Sequence, residues 1–303
     1  MATFVNEFSL RKQLCEIGNK IWQKGFCAGN EGNHSYRIND KRILCTPTGI
    51  SKGFLKPDDI CVVDIDGKQV EGKRKRTSEF LMHAAIYKLR PDVKAVIHSH
   101  PPHATAFAVA GVELPTHIHP EAEVFLGPVH TAKYVTPGDT RLGETIAPYV
   151  KNSNTVLMGN HGVVCFHADL EQCYYQLEIV DAYARILLLT KGLGSVKTLS
   201  EQEMSELIQL KAKFGLNDPR MEEAKKGAVL PVSTDFLARV GGDVARRGMM
   251  STQSGGTAPA PQQAGQPSGL EAAIASMAPA NFGEQDVEQL VQVITDQIMA
   301  AAT

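Results

Sequence analysis

Two histidines with one residue between them, His98 and His100, close the run 94–100. The run Lys-Ala-Val-Ile-His-Ser-His reads as a short buried strand, and side chains alternate faces along a strand, so both imidazoles point the same way. Two imidazoles on one face make half of a metal site. The best source of a third ligand is His161 in Gly159-Asn160-His161-Gly162, where flanking glycines permit a sharp bend that aims the ring. Three protein ligands with one open position describe a catalytic zinc rather than a structural one. Glu79, at the start of a helix, is the candidate base. A proton next to a ketone is hard to remove in water, and a zinc on the ketone and hydroxyl oxygens beside a carboxylate makes the step feasible. Each residue alone has a plainer reading: strand-end histidines, a turn histidine, and a first-turn glutamate that complements the helix dipole. Their combination carries the metal reading.

Three polar turns accompany this group: Gly32-Asn33-His34-Ser35, Thr48-Gly49 and Thr77-Ser78. Small residues and hydroxyls present N–H and O–H groups to an anion, and Thr77-Ser78 is expected at a helix N-terminus, which suits a phosphate. A second histidine pair, His117 and His119, lies between Pro115 and Pro120 and reads as a lid or substrate contact rather than a metal pair. The basic run 73–76 reads as a solvated loop.

The elements that must position these residues follow from periodicity. Residues 7–24 carry Leu10, Leu14, Ile17, Ile21 and Trp22 at helical spacing, with Gly25 as a stop. Strands are expected at 34–38, 42–45, 60–65, 68–71, 155–158 and 163–166, besides the histidine strand. Thr77 or Ser78 is expected to cap a helix running to Arg90. Further helices are expected at 102–110, at 139–150, from an Asp169 cap to about Lys191, and from a Ser200/Glu203 capping box to about Lys213. Residues 114–128, with three prolines, read as irregular. The fold class is α/β (α+β), a mixed, mainly antiparallel central sheet flanked by helices.

Composition narrows the function classes. A formal net charge of −2 gives no electrostatic case for nucleic-acid or membrane-surface binding. No apolar run reaches membrane-spanning length, and no N-terminal signal pattern is present. The six cysteines are scattered without Cys-x-x-Cys, which fits reduced thiols in a cytoplasmic protein.

The character of the chain changes near residue 215. We expect a catalytic domain at 1–215, a charged extension at 216–250, a flexible Ser/Gly/Pro/Ala/Gln-rich linker at 251–283, and an amphipathic helix at 284–303. In that last segment Val287, Leu290, Val291, Ile294 and Ile298 form one helical stripe. A short amphipathic helix on a tether is a docking device.

Gly32-Asn33-x-Ser35, Thr46-Pro47-Thr48-Gly49, Glu71-Gly72 before Thr77-Ser78-Glu79, His98-x-His100 and His161-Gly162, in that order and spacing, resemble the class II aldolase/adducin family, and within it the L-fuculose-phosphate aldolases most of all. The resemblance covers about residues 7–213. It implies Zn2+ bound by His98, His100 and His161, with Glu79 as base, and phosphate held by Asn33, Thr48, Gly49, Thr77 and Ser78. It also implies a phosphorylated sugar substrate and a cyclic homotetramer with sites at subunit interfaces. Pentulose-phosphate epimerases of the family carry an aspartate where this chain has Glu79, which favours the aldolase branch. Where fuculose-phosphate aldolases place a tyrosine acid contributed by a neighbouring subunit, this chain has His119, and histidine can donate a proton near neutrality. Tyr134 is a less well aligned candidate. The C-terminal helix resembles encapsulation peptides, which implies a microcompartment shell protein as partner. The expected reaction is retro-aldol cleavage of a ketose 1-phosphate to dihydroxyacetone phosphate and L-lactaldehyde. An epimerase or dehydratase of the same family, or a metal-stabilised binding module docked to a shell, are the alternatives.

Overall fold

Asn6 accepts hydrogen bonds from the N–H groups of Phe8 and Ser9 and so starts the first helix, α1 (Glu7–Gln23), which ends before Gly25 at φ +69°. In the computed structural model the described residues are 6–216 together with Asp218, Arg220, Met221 and Phe236. The expected linker and C-terminal helix, and most of the charged extension, lie outside them.

The remaining elements follow in chain order: β1 (Asn33–Asn39), β2 (Arg42–Cys45), β3 (Cys61–Val63), β4 (Gln69–Glu71), α2 (Phe80–Leu89), β5 (Ala95–Ser99), α3 (Pro102–Ala110), β6 (His130–Ala132), α4 (Leu142–Val150), β7 (Thr155–Met158), β8 (Gly162–His167), α5 (Leu170–Leu193) and α6 (Glu201–Lys213). The strands form one eight-stranded sheet in the order β4-β3-β2-β1-β5-β8-β7-β6. Only the β6–β7 pairing is parallel. This is the mixed, mainly antiparallel sheet that the sequence predicts.

The central strands of the sheet are buried on both faces, and the alternation of their residues divides the core. On β5, Ala95 and Ile97 pack toward α1, α3 and α5, whereas Val96 packs toward α2 and α4. On β8, Val163 and Cys165 take the first side and Val164 and Phe166 the second. His98 lies two residues after Val96 and therefore faces α2. Asn33 and Ser35 of β1 are registered opposite His98 and Val96, so they share that face. All six cysteines are free thiols. Among the described residues no helix is long and apolar enough to cross a membrane.

Several elements depart from the sequence expectation. The second helix begins at Phe80; Thr77 Oγ1 accepts from Glu79 N–H at 3.3 Å in the turn before it, and the Glu79 side chain adds no cap of its own. Thr77 is also held in extended pairing: its N–H donates to Thr46 O at 3.1 Å, next to a Pro47–Arg76 bridge. Helix α4 starts at Leu142 rather than Asp139, because residues 139–142 close a turn, with Leu142 N–H donating to Asp139 O at 3.1 Å. The short strand β6 was not expected; three residues between Pro128 and Pro137 cannot display an alternation. Within the expected irregular stretch, Ala122–Leu126 forms a π-helical turn. The Asp169 cap and the Ser200/Glu203 capping box are both present.

Candidate active site

Strand β5 delivers His98 at its penultimate position, and the chain leaves the sheet as Ser99 Oγ and His100 N–H both donate to Phe26 O, at 2.7 and 2.9 Å. His161 comes from the β7–β8 turn. The residue that takes the left-handed conformation there is Asn160, at φ +54°, and His161 N–H donates back to Met158 O. The flanking glycines serve clearance rather than the bend. A Cβ on Gly162 would stand 2.5 Å from the His100 ring, and one on Gly159 would stand 2.9 Å from Ala132 O.

The three rings meet. Their centroids are 4.6 to 5.0 Å apart with interplanar angles of 61° to 64°, and one nitrogen from each lies within 4.8 Å of the others. His98 Nδ1 faces Val163 O at 2.9 Å, so that nitrogen carries the proton and Nε2 turns its lone pair inward. Burial and the neighbouring His161 push the His98 pKa down to about 3, and burial with the neighbouring His98 and His161 takes His100 to about 4. Burial also lowers His161. The three rings are neutral at neutral pH, the state in which imidazole can ligate a metal.

Glu79 lies directly beneath this group. It is 8% exposed and stands one residue before α2. Its Oε2 accepts from Asn33 Nδ2 at 2.7 Å and lies 3.4 Å from His98 Nε2. Its Oε1 lies 3.7 Å from His161 Nε2 and, among the described residues, has no hydrogen-bond partner. A buried carboxylate oxygen left bare beside neutral imidazoles is costly unless a cation sits there. The donor set and this bare oxygen together fit a divalent metal ion held by His98, His100 and His161.

The anion-binding candidates divide in two. Thr48 N–H donates to Lys75 O and Thr77 N–H to Thr46 O, which zips the Thr48-Gly49 turn alongside Thr77-Ser78. Thr48, Gly49 and Ser78 are exposed and Thr77 is buried. Gly49, at φ +72°, borders open space. Gly32, also at φ +72°, lies where a Cβ would come within 3.1 Å of His98 O. Asn33 is separate: it is buried and turned inward onto Glu79. The pattern reading overlooked Lys52, whose buried ammonium donates to Asn30 O and Ile50 O, both at 2.7 Å. It ties the Gly32 loop to the Gly49 turn, and a lysine in Ser51-Lys52-Gly53 carries no signal for that role.

His117 and His119 do not join the imidazole group. His117 is buried at φ +67°, with its N–H on the Glu123 carboxylate and its carbonyl accepting from Leu199 N–H. Within its own protomer, His119 stacks on Tyr183 at 5.8 Å and has Nδ1 3.3 Å from the Glu121 carboxylate. Tyr134 is exposed.

The family model described as "Class II Aldolase and Adducin N-terminal domain" matches residues 12–188. The chain is similar to the L-fuculose phosphate aldolase of Methanocaldococcus jannaschii, 35% identical over 179 residues, which is 59% of this chain and 96% of that protein. It is also similar to the 3-oxo-tetronate 4-phosphate decarboxylase of Escherichia coli K12, 30% identical over 205 residues, 66% of this chain and 96% of that one. A solved L-fuculose 1-phosphate aldolase superposes with a TM-score of 0.63 at 31% identity, covering 71% of this chain and 99% of its own.

Proposed function

Because the chain belongs to the class II aldolase and adducin family, we propose that it is a zinc-dependent lyase cleaving a ketose 1-phosphate of the L-fuculose 1-phosphate kind into dihydroxyacetone phosphate and an aldehyde, L-lactaldehyde for that sugar. The observation that carries the proposal is the bare Oε1 of Glu79, buried beside three convergent neutral imidazoles. A zinc ion held by His98, His100 and His161 supplies Lewis-acid polarisation of the ketone. Thr48, Gly49, Thr77 and Ser78 receive the phosphate on their joined edge, and Gly32 lets the backbone approach the site closely. Cleavage breaks the bond between C3 and C4. The C4 hydroxyl gives up its proton as the aldehyde forms, and C3 receives a proton from Glu79. In the synthetic direction Glu79 removes that proton from dihydroxyacetone phosphate.

His119 is the proposed partner for the C4 hydroxyl. It acts from a neighbouring copy in a homotetramer, since within its own protomer it does not join His98, His100 and His161. The helix expected at 284–303 is proposed to dock on a microcompartment shell protein, which would confine a reactive aldehyde.

A second reading draws on the decarboxylase relative. The same group could break a carbon–carbon bond next to a ketone and release carbon dioxide instead of an aldehyde. Incubating the metal-loaded protein with L-fuculose 1-phosphate, and separately with a 3-oxo-tetronate 4-phosphate, and identifying the products separates the two. Dihydroxyacetone phosphate that disappears with a chelator supports the aldolase; carbon dioxide from the oxo acid alone overturns it. For the tail, a fluorescent protein fused to residues 270–303 should form foci only in cells making shells, and diffuse signal in both would dispose of docking.

A further inference from the structure

Behind Glu79 runs a line of buried side chains that the reaction described above does not use. Glu79, His83 and Tyr87 are spaced four apart and so share one stripe of α2 and its first turn. Asn33 and Ser35, two apart on β1, face that stripe from the sheet. The contacts are continuous. Asn33 Nδ2 lies 2.7 Å from Glu79 Oε2, and His83 Nε2 lies 2.6 Å from Asn33 Oδ1. Ser35 Oγ lies 2.7 Å from His83 Nδ1 and 2.7 Å from Tyr87 Oη. His83 and Ser35 have no exposed surface, and Tyr87 has 1%.

The chemistry of the end group fixes every direction. A carboxylate only accepts, so Asn33 turns its NH2 to Glu79 and its oxygen to His83. His83 must then donate from Nε2. Burial, followed by repulsion from His98 and His34, holds its pKa well below the ordinary imidazole value, so the ring is neutral and Nδ1 is an acceptor. Ser35 therefore donates to Nδ1, so its shorter 2.7 Å contact with Tyr87 is a donation from the Tyr87 hydroxyl, which also lies 3.2 Å from Lys94 O. Four donations run one way, toward Glu79 Oε2. Chains of this kind polarise one another in a low-dielectric interior. Oε2 already accepts from Asn33 whereas Oε1 has no donor, so Oε1 is the oxygen better placed to take a proton up.

We propose that Asn33, His83, Ser35 and Tyr87 form a one-way hydrogen-bond chain that locks the Glu79 carboxylate and confines its proton exchange to Oε1, with His83 as the positioning residue whose tautomer sets the direction. The proposal rests on Glu79 being the base. It gives Asn33 a task distinct from phosphate binding, because both ends of its amide are engaged inside the protein.

The first test needs no substrate. In metal-loaded protein with 15N-labelled histidine, long-range proton–nitrogen correlation spectra should show His83 as the neutral Nε2–H tautomer from about pH 6 to 8. In Asn33→Ala, which removes the acceptor at Nε2 and leaves Ser35 Oγ to accept, the Nδ1–H form should appear. A wild-type Nδ1–H tautomer, or an imidazolium, overturns the chain. The second test is kinetic. His83→Gln keeps a donor near the Nε2 position and should hold kcat within about threefold, whereas His83→Leu should lower kcat about 30-fold with KM and metal content unchanged. Wild-type kcat in His83→Leu overturns the positioning role, as does a rise in KM alone in Asn33→Ala. Should His83→Leu not fold, Ser35→Ala replaces it, with a fall in kcat at constant KM as the expected result. If the wild-type protein cleaves no ketose phosphate, the reaction assignment fails, and the tautomer alone decides the chain.

Discussion

The three-imidazole group and the His117–His119 turn are built by opposite means. The first stands on regular structure. His98 is a strand residue, Glu79 adjoins a helix, and their supports all come from residues 12–188, the span of the family match. The second is a loop in a costly backbone conformation, with His117 at φ +67°, held by buried charges. Glu123 binds His117 N–H with one oxygen and Arg220 with the other at 2.6 Å, and Asp218 joins Arg220 to Lys211, each at 2.8 Å. Two positive and two negative groups balance one another away from water. Burial alone would lift the Asp218 pKa, but the hydrogen bonds and charges of Arg220 and Lys211 take it down to about 2. Three of the four clamp residues lie beyond residue 188. Packing suffices where chemistry sits on sheet and helix, whereas a strained turn needs a charged clamp borrowed from another part of the chain.

Three experiments test this contrast. The largest effect is expected on the sheet side. Glu79→Gln should keep its metal and lose turnover by about 10³-fold, a barrier increase of about 4 kcal/mol. Wild-type rates in that variant would remove the base from the account. Next is Arg220→Met, which leaves Glu123 and Asp218 without their guanidinium. It should cost about 3 kcal/mol in urea denaturation while metal stoichiometry stays intact. Metal loss in parallel would mean that the two regions are one unit and the contrast is false.

The smallest effect separates the regions by pH. His34 is fully buried, with Nε2 donating to Leu14 O at 2.7 Å, and burial takes its pKa down to about 4. An unfolded chain binds a proton on this ring below about pH 6.5 and the folded chain does not, so stability is full above that pH and is lost on acidification toward 4. At about pH 5 the loss should be about 2 kcal/mol. His34→Gln, which preserves the donor, should escape that share of the loss. The clamp contributes no Asp218 titration in this window, since that group titrates near 2. Equal acid sensitivity in His34→Gln and wild type would reassign the loss to other groups.

How much of this was legible before the structure depended on distance along the chain. The histidine strand, the helices at its flanks, the Asp169 cap and the Ser200/Glu203 box are local patterns, and the structure has them all. Strand alternation brought out His98 and His100 directly. The stripe of Glu79, His83 and Tyr87 also has regular spacing. It was obscured because Phe80, Met82, Ala84 and Ile86 are buried around it, which leaves α2 apolar on nearly every side with no polar face for contrast. The start of α2 was misplaced because Thr77 is paired across the chain to Thr46, a contact that capping rules do not weigh. The clamp was beyond local reading altogether, since Arg220 and Glu123 are 97 positions apart.

Whether His98, His100 and His161 hold one divalent ion next to Glu79 is decided by elemental analysis of the purified wild-type, His98→Ala and His161→Ala proteins. About one zinc per chain is expected in the wild type and almost none in either variant, with the fold retained by circular dichroism. Full metal occupancy in His161→Ala, or a wild-type protein that binds none when zinc is supplied, would contradict it.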